Sequence, residues 1–128
     1  MAKTILLVED TTDIRGALLL LLEMRGYTVI EAGDGLEAIE LAIKHLPDLI
    51  LMDLAMPHLD GVSATRAIRA EKSTSLIPII AVSSHEGRIK TSAILAGCNE
   101  VMTKSTFMAT FDTTLAQYLP LSVPTNNS

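Results

Sequence analysis

Five short apolar runs alternate with helical patterns along 128 residues, and this alternation leaves very few folds open to the chain. Thr4–Val8 is a continuous apolar run of buried-strand length. Thr11 or Thr12 can cap the helix that follows, whose inward positions Ile14, Ala17, Leu18, Leu21 and Leu22 recur at helical spacing, and Gly26 ends it. Tyr27–Ala32 reads as a second strand, and Gly33-Asp34-Gly35 as the turn into a helix striped by Leu36, Ile39, Ile43 and Leu46 and stopped by Pro47. Asp48–Leu54 is the most apolar run, as a central strand covered on both faces should be. Met56-Pro57-His58-Leu59-Asp60-Gly61 is a loop, and a helix runs from about Val62 to Glu71. Ile77–Val82 is a fourth strand, Arg88–Leu95 a helix ended by Gly97, and Glu100–Thr103 a fifth strand. A last helix carries Phe107, Phe111, Leu115, Tyr118 and Leu119 on one face, until Pro120 breaks it. Residues 1–120 are thus expected to form one domain and 121–128 a frayed tail.

Repeated β–α units of this length call for a parallel sheet with helices on both faces, and right-handed crossovers make it an open doubly wound α/β sandwich. In such a sheet ligands bind beyond the carboxyl ends of the strands. Composition removes several functions at once. Fifteen Asp+Glu against ten Lys+Arg gives −5, the wrong sign for a phosphate-backbone binder. Four aromatics (Tyr27, Phe107, Phe111 and Tyr118) are too few to build a base-stacking surface. Cys98 is the only cysteine, which excludes an internal disulfide and a cysteine zinc cluster. The longest purely apolar run, Ala17 to Leu22, falls far short of a membrane span. The Met-Ala-Lys start lacks a signal-peptide pattern, and a cytoplasmic location is expected.

The polar residues at the predicted strand ends are Glu9 and Asp10, then Asp53, then Ser83 and Ser84, and finally Lys104. Each alone has an ordinary explanation as a helix cap, a turn residue or a surface charge; their recurrence on strands one, three, four and five does not. Three carboxylates drawn together raise one another's pKa unless positive charge sits among them. Oxygen-only ligands point to a hard cation, and a partly hydrated Mg2+ suits them best. A divalent cation together with Lys104 would cancel the three carboxylate charges.

In this order and spacing the residues resemble the receiver domains of two-component response regulators. The resemblance covers residues 3 to about 119. It rests on Ile5-Leu6-Leu7-Val8-Glu9-Asp10, Asp48-Leu49-Ile50-Leu51-Met52-Asp53, Met56-Pro57 with Asp60-Gly61, Pro78-Ile79-Ile80-Ala81-Val82-Ser83, and Lys104 after Gly97. It implies a flavodoxin-like five-stranded sheet in the order 2-1-3-4-5. Asp53 would take a phosphoryl group from a phosphohistidine of a sensor kinase or phosphotransfer protein, giving an acyl phosphate. Glu9, Asp10 and Asp53, with the backbone carbonyl of Ala55, would hold Mg2+. Lys104 would pair with one phosphoryl oxygen and Ser83 would move to bond another, a switch driven by new local charge. Such a domain is a signalling switch that promotes only its own phosphorylation and dephosphorylation. Its output would pass to a downstream protein or to a further histidine, because the last helix ends at Pro120 with no DNA-binding domain after it.

Three positions depart from the family pattern. Val101 stands where an aromatic commonly precedes the lysine by three residues, and a β-branched side chain has little lever length for a swinging readout. Ser105 stands where proline commonly follows in a cis bond. A cis non-proline bond costs about 3–4 kcal/mol, so a trans bond here could displace Lys104. Ala55 and His85, two residues beyond Asp53 and Ser83, occupy positions that by resemblance tune phosphoryl lifetime. Leu20 falls on the solvent side of the first helix, where by resemblance histidine-bearing four-helix partners dock. A receiver-like scaffold working without phosphorylation is the alternative favoured by Val101 and Ser105 and opposed by the intact Glu9, Asp10, Asp53, Ser83 and Lys104. A Mg2+-dependent phosphohydrolase would need Asp-x-Asp after the first strand and a cap, and this chain has Glu9-Asp10 and no length for a cap.

Overall fold

The computed structural model describes residues 2–56, 58–84 and 88–120. Their order is β1 (Thr4–Val8), α1 (Thr12–Met24), β2 (Thr28–Ala32), α2 (Gly35–His45), β3 (Leu49–Asp53) and α3 (Gly61–Ala70). After a short 3-10 turn at Lys72–Thr74 come β4 (Ile79–Ser83), α4 (Arg88–Ala96), β5 (Glu100–Thr103), α5 (Lys104–Ala109) and α6 (Phe111–Tyr118). The five strands are parallel in the order β2-β1-β3-β4-β5. The doubly wound sheet expected from the alternation is therefore the observed one. Among the described residues no helix is long and apolar enough to cross a membrane.

Two apolar layers sandwich the sheet. Leu6, Val8, Ile50, Met52, Ile79 and Ala81 point to the face covered by α2, α3 and α4. Ile5, Leu7, Leu49, Leu51 and Ile80 point to the other, where Leu22, Phe107, Phe111, Leu115 and Leu119 cover them. Every residue of β3 is buried, which explains its unbroken apolar run.

Helix boundaries follow local chemistry. Asp34 and Asp60 cap α2 and α3, their carboxylates accepting from Glu37 N and Ser63 N at 2.8 and 2.9 Å. Thr11 occupies the N-cap position of α1 without a side-chain cap bond; its own N–H instead donates to Glu9 Oε2 at 3.1 Å. Gly26, at φ +88, closes α1 in a Schellman arrangement, with Gly26 N donating to Glu23 O and Tyr27 N to Leu22 O.

Three expected helix faces differ. In α2 the buried positions are Gly35, Ala38 and Ala42, while Leu36, Ile43 and Leu46 are 57%, 40% and 53% exposed. The reason is close approach: a Cβ on Gly35 would stand 2.3 Å from Leu59 O, so only small residues fit the inner side and the larger ones face out. In α1 Leu22 is buried and Leu18 and Leu21 are half-buried, but Ile14 and Ala17 are exposed along the edge of a cleft. The final helix is two helices rather than one. Thr110 leaves the helical region at φ -116 and ψ 24 while its N–H and its Oγ1 both donate to Thr106 O, at 3.0 and 2.8 Å, and the chain breaks there.

Two glycine substitutions separate these effects. Gly16 lies in α1, and a methyl group placed on it would meet nothing within 4 Å, so Gly16→Ala should raise stability by up to about 1 kcal/mol. A Cβ on Gly61 would lie 2.3 Å from Asp53 O, so Gly61→Ala should cost about 1–3 kcal/mol or more. Urea unfolding of both variants beside the wild type checks the opposite signs.

Candidate functional site

The site lies where strand register brings two acids side by side. Val8 pairs with Met52 across β1 and β3, so the next residues, Glu9 and Asp53, emerge together at the carboxyl end of the sheet. Both are buried, 3% and 5% exposed, and Asp10 flanks them half-buried. One carboxylate oxygen from each of Glu9, Asp10 and Asp53 lies within 4.8 Å of the others. The three acids expected from the sequence are thus one cluster.

Backbone and side-chain donors hold it in place. Glu9 Oε2 accepts from Thr11 N, and Asp53 Oδ1 accepts from Ala55 N at 3.1 Å. Lys104 Nζ lies 3.6 Å from Glu9 Oε1. Lys104 is the first residue of α5, directly after Thr103, whose hydroxyl caps the helix by accepting from Thr106 N at 3.1 Å. Among the described residues no peptide bond is cis, and Lys104 nonetheless reaches the acids. Ser83 ends β4, one residue beyond the Asp53–Val82 pair, and is buried. Of Ala55, the N–H is the group in contact with Asp53.

Arg15 carries no motif in the sequence, yet it orients the site. Its Nη1 donates to Glu9 O at 2.7 Å and its Nε to Glu31 Oε1 at 3.2 Å, tying α1 to the ends of β1 and β2. A lone cation amid the apolar residues of the first helix is the only sequence signal for it. Val101 is buried in β5 opposite Ala81, packed in the core rather than poised at the surface. Pro57, His85 and the tail 121–128 lie outside the described residues.

The electrostatics follow from burial. Desolvation, and then the neighbouring Glu9 carboxylate, push the Asp53 carboxyl up to about 7, while Ala55 N–H and Lys104 pull the other way. A cation held among the three acids reverses that balance, and a set of carboxylates with no sulfur or imidazole fits Mg2+. Because folding raises this pKa, Asp53 adds stability below about pH 4 that is lost as pH rises towards 7. Asp53→Asn should therefore raise the melting temperature at pH 8 by on the order of 5 °C and barely change it at pH 4. Thermal unfolding at the two pH values checks this; an equal shift at both would contradict it.

The comparisons with known proteins agree with this geometry. The family model of the response regulator receiver domain matches residues 5–115. The polar-differentiation response regulator DivK of Brucella ovis is 34% identical over 124 residues, covering 93% of this chain and 98% of its own. The receiver domain of a sensor histidine kinase from Pseudomonas aeruginosa PAO1 superposes with a TM-score of 0.85 at 34% identity, over 92% of this chain and 98% of that one. Its crystal structure has a magnesium ion coordinated in the active site cleft. The response regulator TrrA of Thermotoga maritima, in complex with Mg2+–BeF, superposes with a TM-score of 0.80 at 28% identity, over 91% and 99% of the two chains. This chain belongs to the response regulator receiver domains of two-component signalling.

Proposed function

We propose that this receiver accepts a phosphoryl group on Asp53 in a Mg2+-dependent transfer from a phosphohistidine and thereby switches protein contacts. The observation that carries the reading is the gathering of Glu9, Asp10 and Asp53 within 4.8 Å, with Lys104 beside them. Phosphoryl transfer needs positioning and charge neutralisation more than bond-making chemistry, and these residues supply both. An Asp53 oxygen forms the new O–P bond as the P–N bond of phosphohistidine breaks. The imidazole leaves with the electron pair and takes up a proton.

Asp53 must be ionised to attack, yet burial beside Glu9 favours its protonated form near neutral pH. Glu9, Asp10, Asp53 and the Ala55 carbonyl would hold Mg2+, which supplies the positive charge that ionises the acceptor and neutralises phosphoryl oxygens. Ala55 N–H fixes the acceptor's orientation, and Arg15 and Thr11 N–H fix that of Glu9. Lys104, now 3.6 Å from Glu9 Oε1, would meet a phosphoryl oxygen and exchange its Glu9 contact for the new charge. Ser83 would bond another oxygen and carry the change into the chain beyond β4. With Val101 buried in the core, readout would run through that segment and α4 rather than through an aromatic swing. The domain would promote only its own phosphorylation and dephosphorylation, with a kinase or phosphotransfer protein upstream and a protein target downstream, in the cytoplasm.

Incubation with acetyl phosphate and Mg2+ should add one phosphoryl group by intact mass. Asp53→Ala should abolish the adduct, and chelation of the metal should suppress it; an unmodified wild type overturns the reading and leaves the scaffold alternative standing. Continuous turnover of phosphoesters would point instead to a hydrolase. Leu20 is 60% exposed on the outer side of α1. Leu20→Glu should slow transfer from a cognate phosphohistidine donor about ten-fold while leaving labelling by acetyl phosphate unchanged, and equal loss from both donors would remove α1 as the docking face.

A further inference from the structure

A cleft of about 320 Å3 separates α1 from α5 beside the acid cluster, within the size range of small-molecule sites. Leu7, Leu51 and Val82 of the sheet line its floor. Ala17, Leu18 and Leu21 line the α1 side, and Phe107 and Met108 the α5 side. At the far end the helices are clamped: Arg25, which caps α1, pairs with Asp112 of α6 and lies 5.0 Å over the Phe111 ring. The clamp fixes the spacing there, while the small Ala17 side chain lines the open space nearer the site.

The mouth is acidic. Glu9, Asp13 and Asp53 line it against a single cation, Lys104, which Glu9 already engages at 3.6 Å. Asp13 is exposed in the first turn of α1, stands outside the carboxylate trio, and makes no ion pair among the described residues. A carboxylate or phosphate head entering here meets net repulsion, whereas an ammonium head meets Asp13 without displacing a metal from the trio.

We propose that this cleft binds a small amphiphilic amine, with its apolar body between α1 and α5 and its ammonium against Asp13. The body replaces water along apolar walls, and the head selects by charge. Binding to the unphosphorylated chain can be read with no phosphodonor present.

The test titrates the 15N-labelled full chain with n-hexylamine, 1-hexanol and hexanoate. Hexylamine should shift the backbone signals of Ala17, Leu21, Val82 and Met108 and bind about ten-fold more tightly than hexanoate. Asp13→Asn should bring hexylamine and hexanol to equal affinity. Ala17→Trp, which fills the cleft, should abolish binding. Met108→Trp, at a position 48% exposed, gives a second filling variant that should do the same even if the first impairs folding. Hexanoate binding as tightly as hexylamine, shifts scattered away from the cleft, or affinity unchanged in the filling variants that fold would each overturn the proposal.

Discussion

Two carboxylates buried side by side, Glu9 and Asp53, are the constraint around which the upper end of this molecule is arranged. Parallel pairing of β1 with β3 makes their proximity unavoidable, since the residues after Val8 and Met52 leave the sheet together. Nothing apolar could offset the repulsion between two such charges, so the surroundings must supply donors and cations. They do so from four directions: Thr11 N–H, Ala55 N–H, Lys104, and Arg15 acting on the Glu9 backbone. The close seat of Gly61 against the Asp53 carbonyl belongs to the same arrangement, because it lets α3 begin directly beneath the end of β3.

The departures from the family pattern become intelligible in these terms. Lys104 follows β5 without an intervening turn and starts α5 itself, with Thr103 capping the helix and Ser105 within its first turn. The lysine is thereby anchored by helix geometry, and proline at the next position is not required for it to reach Glu9. Val101 contributes to the core between the sheet and α4.

The sheet, its order and the membership of the acid cluster were legible in the sequence, because each depends on local pattern: unbroken apolar runs for doubly covered strands, and polar residues at strand ends. What could not be read depended on distances between helices. The inner face of α2 is small where Leu59, just before α3, comes close, so the periodicity of Leu36, Ile43 and Leu46 marked the outer face instead. The break at Thr110 is a departure of one residue's backbone from helical dihedrals, which side-chain spacing does not encode. Arg15 gave no motif, since its role exists only once β1, β2 and α1 converge.

The fold holds Asp53 partly protonated near neutral pH, and positive charge brought among the acids favours its ionised form. The direct measurement is the Asp53 side-chain carboxyl resonance followed by 13C NMR across pH, with and without Mg2+. In the absence of metal the midpoint should lie near 7, and added Mg2+ should lower it by at least about one pH unit. A midpoint near 4 in both conditions, indifferent to the metal, would contradict this.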